Sequence, residues 1–297
     1  MSVPPEAPLS RDIIALYDEY THAPLDRRVF LDRLARLAGG TAAALALLPV
    51  LENDYAHAAV VAEDDPRLTT QSEAIAVPGG SLAAYVAKPA DAAAPLPAVV
   101  VIHENRGLNP HIRDVARRLA LGGYLAVAPD MLSADGDPTP ADEDVARERI
   151  GALDPAQTLE NALAVVAYAR GGRRDASGRV GVVGFCWGGG LVNQLAVHDP
   201  ALDAAVSFYG RQPSPEDAAT IQVPLMLHYA GLDERINAGI DAYVAALDAA
   251  GADYTLHMYD GVDHAFHNDT NAARYDEGAA ALAWERTLAF FAQHLAG

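Results

Sequence analysis

Three side chains with the means for nucleophilic chemistry stand at the ends of apolar runs: Cys186, Asp233 and His264. Cys186 is the only cysteine in 297 residues and lies inside "VGVVGFCWGGGLVNQLA" (180–196). Gly184-Phe185-Cys186-Trp187-Gly188 is G-x-C-x-G between a strand-like run and a helix-like one, the nucleophile-elbow pattern with cysteine in the serine position. The glycines suit a turn too tight for neighbouring side chains. The partial positive charge of the following helix N-terminus favours thiolate over thiol. The bland alternative is a small buried packing residue, the usual fate of a free cysteine. An elbow nucleophile needs an acid and then a base further along the chain. "HYAGLDERIN" puts Asp233 just after the run 224–229, and "YDGVDHAFHN" puts His264 just after 254–259.

Such chemistry also needs two backbone N–H donors for the oxyanion. Trp187, next after the cysteine, and Asn105, in "HENRGLNP", are the expected pair. Glu104 in the same loop has two open readings: an exposed carboxylate capping the next helix, or a partner for the thiol. Asp260 and Asp263 compete for the acid role. His264 and His267 form an H-x-x-H spacing, but no ordered third ligand completes a metal site, so no metal and no cofactor is expected. His198, His228 and His257 are read as satisfied locally or at the surface.

These residues require a frame that sets them on one side. "PAVVVIHE" (97–104) is a continuous apolar run, the mark of a strand buried on both faces. "NPHIRDVARRLALGG" (109–123) is an amphipathic helix with a Gly-Gly stop. Strand-like and helix-like segments alternate from there: 124–132, 155–172, 179–185, 188–199, 204–210, 224–231, 235–251, 254–261 and a final helix over 274–296. That alternation predicts an α/β fold, a mostly parallel sheet with helices on both faces, whose function gathers on the loops at the carboxyl ends of the strands. Arg211 and Arg235 lie on such loops and could clamp a substrate carboxylate.

The chain divides into an N-terminal helical extension (1–65) and a catalytic domain (66–297). "DRRVFLDRLARLAGGTAAALALLPVLENDYAHA" (26–58) has the paired arginines and apolar stretch of a degenerate twin-arginine export signal. It starts late, Asp32 stands where a basic residue is usual, and Arg36, Gly39 and Gly40 interrupt the apolar stretch. The expectation is a packed extension and a cytoplasmic protein, periplasmic export being the alternative. A formal charge of −19 with Lys88 the sole lysine excludes a nucleic-acid role, which needs a basic face. No membrane partner is expected; a monomer or a homodimer is.

Through "VVVIHENRGLNPHIRDVARRLALGGYLAVAPDML", "GFCWGGG", "SFYGRQ", "HYAGLDERIN", "GVDHAFHND" and "AWERTLAFF", the chain resembles the dienelactone hydrolase (carboxymethylenebutenolidase) family of the α/β-hydrolases. The resemblance spans roughly residues 70–297. It implies an α/β-hydrolase fold, a Cys186–His264–Asp233 triad, Glu104 as the acid that tunes the thiol, and hydrolysis of a small activated ester or lactone. The substrate clamp does not carry over. Where the family has an arginine four residues after the histidine, this chain has Asn268, and Arg147 and Arg149 are unaligned candidates for the second clamp. Two readings from other classes remain: a thiol redox protein, and a non-catalytic binder of small carboxylates.

Overall fold

Valine-rich runs with no polar alternation can be buried only if both sheet faces are covered, and helices do this. The computed structural model describes residues 9–55 and 59–296. In chain order it contains α1 (Arg11–His22), α2 (Arg27–Ala38), α3 (Thr41–Leu51), β1 (Leu68–Val77), β2 (Gly80–Pro89), β3 (Leu96–Ile102), α4 (Pro110–Leu121), β4 (Leu125–Pro129), α5 (Glu143–Gly151) and α6 (Pro155–Gly171). There follow β5 (Ala176–Phe185), α7 (Trp187–His198), β6 (Ala204–Phe208), α8 (Pro215–Ala218), β7 (Leu225–Ala230), α9 (Glu234–Asn237), α10 (Ile240–Ala250), β8 (Tyr254–Tyr259) and α11 (Glu277–His294).

The sheet order is β1-β2-β4-β3-β5-β6-β7-β8. β1 pairs antiparallel with β2, and β2 with β4, while every pairing from β4 through β8 is parallel. β3 shows how the period-2 alternation works when both faces are buried. Ala98, Val100 and Ile102 join the core beneath α6, α7 and α10. Val99 and Val101 join the opposite core beneath α4 and α11. This is the mostly parallel, doubly covered α/β sheet expected from the sequence.

The segment read as one helix over 235–251 is instead α9 and α10, broken at Ala238-Gly239. Gly239 packs against Gln212, whose Oε1 lies only 2.5 Å from where a Cβ would sit.

The extension has a core of its own, in which Leu16, Tyr17 and Tyr20 of α1 meet Phe30 and Leu34 of α2 and Leu51 of α3. Asp26 caps α2 by accepting from the Arg28 and Val29 amides, and Gly39 and Gly40, at φ 84° and 149°, end it. The extension is tied to the rest of the chain at several points. Tyr20 donates to Asp144 at 2.6 Å, Arg147 donates to the Tyr20 carbonyl at 2.7 Å, and Asn271 donates to the Leu51 carbonyl at 2.6 Å. No single helix among the described residues is long and apolar enough to cross a membrane; α2 and α3 pass such a test only together, and they are bent by 109°. The Ala56-His57-Ala58 end of the signal-like stretch lies outside the described residues.

Candidate active site

β5 delivers Cys186 to the carboxyl edge of the sheet, and α7 begins at the next residue. Between them the backbone turns with Cys186 at φ 55°, ψ −114°, a strained state for a residue with a side chain, costing about 1–3 kcal/mol. The turn closes only because its neighbours lack side chains. A Cβ on Gly184 would stand 2.3 Å from the Gly188 carbonyl oxygen, and one on Gly188 2.4 Å from that of Ile102.

Asp233 follows β7 and His264 follows β8, so parallel order brings both to the same edge. Asp233 caps α9, its Oδ1 accepting from the Ile236 amide at 3.2 Å. Its Oδ2 accepts from His264 Nδ1 at 2.5 Å, and because a carboxylate only accepts, Nδ1 carries the hydrogen. The other ring nitrogen, Nε2, is buried with no hydrogen-bond partner, and the ring brings a nitrogen within 4.8 Å of Cys186 Sγ. Burial disfavours the charged imidazole, but the Asp233 and Cys186 charges outweigh it and raise the His264 pKa to about 9. Burial likewise pushes the Asp233 carboxyl up, and the His264 charge overrides this to hold it below its usual range. The arrangement can hold an imidazolium beside a sulfur, the state suited to protonating a leaving oxygen.

Glu104 is 5% exposed and neither solvated nor a cap; α4 is capped by Asn109. Its Oε2 accepts from Asn268 Nδ2 at 2.9 Å and its Oε1 from the Tyr209 hydroxyl at 3.4 Å. Asn268, at the position of the family's arginine, thus holds the glutamate in place. Trp187 opens α7, and its ring stacks on His103 at 5.4 Å. Asn105 lines the cavity beside the sulfur, and its side chain donates to the Thr21 carbonyl at 2.8 Å.

The sulfur's hydrogen-bond partner comes from elsewhere. His22, the last residue of α1, sets its Nε2 3.1 Å from Cys186 Sγ. Its Nδ1 donates to the Asp18 backbone carbonyl at 2.9 Å, with the Asp18 carboxylate 3.1 Å away as an ion-pair contact. The His22 and His264 rings meet edge to face at 4.5 Å. The local sequence gives little hint of this, because 164 residues separate His22 from Cys186.

The candidate arginines divide. Arg235 comes to the site, with Nη2 3.5 Å from His264 Nδ1 and Nε 3.5 Å from Asp18 Oδ2. Arg211 is exposed and does not line the cavity; its backbone lies beside Gly190 of α7. Arg147 and Arg149 bind backbone carbonyls, Arg147 that of Tyr20 and Arg149 those of Leu132, Asp137 and Pro138. Sequence reasoning missed Arg106 and Arg274, both buried and both lining the cavity; Arg274 reaches to 3.8 Å from Asp18 Oδ1.

The H-x-x-H pair does not converge. His267 packs among Phe185, Phe208 and Trp284, where burial pushes its pKa well below the usual value. Among the described residues it is instead His22, Cys186 and His264 that converge, two ring nitrogens and the sulfur lying within 4.8 Å of one another.

A family profile described as the dienelactone hydrolase family matches residues 82–295. A Methylorubrum extorquens protein named "Putative carboxymethylenebutenolidase" is 34% identical over 267 residues, covering 86% of this chain and 89% of its own. A protein of the same name from Escherichia coli K12 is 34% identical over 248 residues, covering 79% of this chain and 91% of its own. A solved Klebsiella pneumoniae structure titled "Putative Dienelactone Hydrolase" superposes with TM-score 0.70 at 33% identity, over 76% of this chain and 99% of that one. Sheet order, elbow and matched length agree: the chain belongs to the dienelactone hydrolase family, with the α/β-hydrolase fold.

Proposed function

We propose that this hydrolase of the dienelactone hydrolase family cleaves small activated esters or lactones with Cys186 as nucleophile, through a thioester. The observation that carries the reading is the convergence of Cys186, His264 and Asp233 at one sheet edge, with a 2.5 Å Asp233–His264 bond and an imidazole nitrogen left over for the sulfur's side. The thiolate pair attacks the carbonyl carbon, and the backbone N–H groups of Trp187 and Asn105 receive the oxyanion. As the carbon–oxygen bond breaks, the His264 imidazolium gives its Nε2 proton to the departing oxygen. The neutral imidazole then takes a proton from water, whose oxygen attacks the thioester. Collapse frees the acid and returns the sulfur as thiolate.

Glu104, held by Asn268 and Tyr209, lines the same cavity as the thiol and is proposed to act on it there. Arg235 and Arg274 are the better-sited arginines for a substrate carboxylate, ahead of Arg211. The α/β-hydrolase domain is proposed to start near residue 66, behind the helical extension, and the protein to act in the cytoplasm.

Steady-state hydrolysis of an activated aryl ester and of an enol lactone tests the reading. Cys186→Ala is expected to abolish turnover on both, and mass spectrometry of the wild type under slow turnover should show the acyl group on Cys186. Turnover by Cys186→Ala at the wild-type rate would overturn it.

A further inference from the structure

The cavity beside the reacting sulfur measures about 10 Å³, room for roughly one water. What fills the rest is the last turn of α1: Thr21 and His22 line the cavity together with Asn105, Arg106, His264 and Arg274. The chain therefore puts its own imidazole where an incoming acyl group must pass.

The chemistry of that imidazole is constrained. Three oxygens lie within reach of His22 Nδ1: the Asp18 carbonyl at 2.9 Å and carboxylate at 3.1 Å, which only accept, and the Thr21 hydroxyl at 3.0 Å, whose own hydrogen goes to the Asp18 carbonyl, so Nδ1 carries a hydrogen. Nε2 then offers a lone pair to an S–H, or an N–H to a thiolate. Asp18–His22 thus sets a second carboxylate–imidazole pair at the sulfur, its ring edge to face with that of the Asp233–His264 pair at 4.5 Å. The two rings differ in one respect. His22 is bonded to the sulfur, whereas the His264 Nε2 has no partner. Glu104 is engaged by Asn268 and Tyr209, and His22 stands at the sulfur.

Resting on the reading of Cys186 as the nucleophile, we propose that His22, oriented by Asp18, is a second imidazole of the active site, which takes the thiol proton in the resting enzyme and keeps the sulfur as thiolate beneath α1. The S–H bond breaks, an Nε2–H bond forms, and the electron pair stays on sulfur. That proton remains on His22 through turnover, because the sulfur both begins and ends the cycle as thiolate. Substrate reaches the sulfur by displacing the end of α1, which makes the extension a working part of the site.

The groups facing the sulfur come from every loop around it. α1 supplies Asp18 and His22, the loop after β3 Glu104 and Arg106, and the turn after β6 Tyr209. The loop after β7 supplies Asp233 and Arg235, and that after β8 His264 and Arg274. Of these only His22 is hydrogen-bonded to the sulfur among the described residues.

With one cysteine in the chain, thiolate absorbance at 240 nm reports Cys186 alone, against Cys186→Ser as the blank. In the full-length protein, removing a cation in contact with the sulfur should move the rise of this band to higher pH by about one unit or more in His22→Ala. His22→Gln keeps the size and hydrogen-bonding capacity without the charge and is expected to shift the band equally. Asp18→Asn should shift it less, in the same direction. The acid limb of kcat/KM should move with the band in each variant, near-ultraviolet circular dichroism confirming the fold. A band that rises at the wild-type pH in folded His22→Gln would overturn the proposal. Should Cys186→Ala stay active, the nucleophile reading itself falls; should it be inactive while the His22 variants titrate as wild type, only the role of His22 falls.

Discussion

At the scale of single residues, the site is a set of charges that are stable only together. His264 is the clearest case, since Asp233 and Cys186 raise its pKa to about 9 against the cost of burial. Its folded value lies above its ordinary one, so the stabilisation is complete below about pH 6.5 and is lost as pH rises through about 9. Chemical denaturation of the wild type should therefore show stability falling across that window, and His264→Gln should flatten the fall. The same proton is the one proposed to reach the leaving oxygen, so kcat/KM should decline as pH rises through about 9, while removal of His264 should cost on the order of 10²–10⁴ in rate. Asn268 offers an independent test. Its amide holds the buried Glu104 carboxyl group and accepts from the Thr270 amide and hydroxyl, and Asn268→Ala, which removes all three bonds, should destabilise the fold by at least about 1–3 kcal/mol in urea unfolding.

At the scale of elements, strand ends could be read from the sequence and long-range docking could not. Cys186, Asp233 and His264 were findable because each follows an apolar run, and parallel connections send the ends of such runs to one edge. The break between α9 and α10 was hidden, because Gly239 meets Gln212, a contact that periodicity within 235–251 does not encode. Glu104 was ambiguous for the same reason: its hydrogen-bond partner Asn268 is 164 residues away. His22 was invisible as a site residue because "YDEYTH" reads locally as an acidic amphipathic turn, and nothing in it points to a thiol in another part of the chain. The elbow itself gives a prediction for an element. Gly188→Ala would press a methyl group to 2.4 Å from the Ile102 carbonyl, backbone that cannot give way without moving β3 from the start of α7. Thermal unfolding should show a loss of at least about 1–3 kcal/mol, and ester turnover should collapse with the geometry of the turn.

At the scale of the whole molecule, the formal charge of −19 sets a long-range field against anionic substrates, and the arginines at the site act only at close quarters. Raising ionic strength to about 0.1 M shortens the range of that repulsion to about 10 Å. The kcat/KM of an ester bearing a carboxylate should accordingly rise with salt, while that of a neutral aryl ester stays level; stopped-flow or steady-state rates on the matched pair read the difference.

The last turn of α1 against the sulfur also changes what an affinity means for this protein. Under the proposed displacement of α1, a compound aimed at Cys186 competes with a tethered segment that contacts the sulfur, so its measured Kd is the intrinsic value divided by the fraction of molecules whose helix is swung away. Covalent reagents will report the frequency of that opening rather than the reactivity of the sulfur alone. Backbone amides of residues 18–22 should lose hydrogen-exchange protection when the pocket fills, far along the chain from where the compound sits.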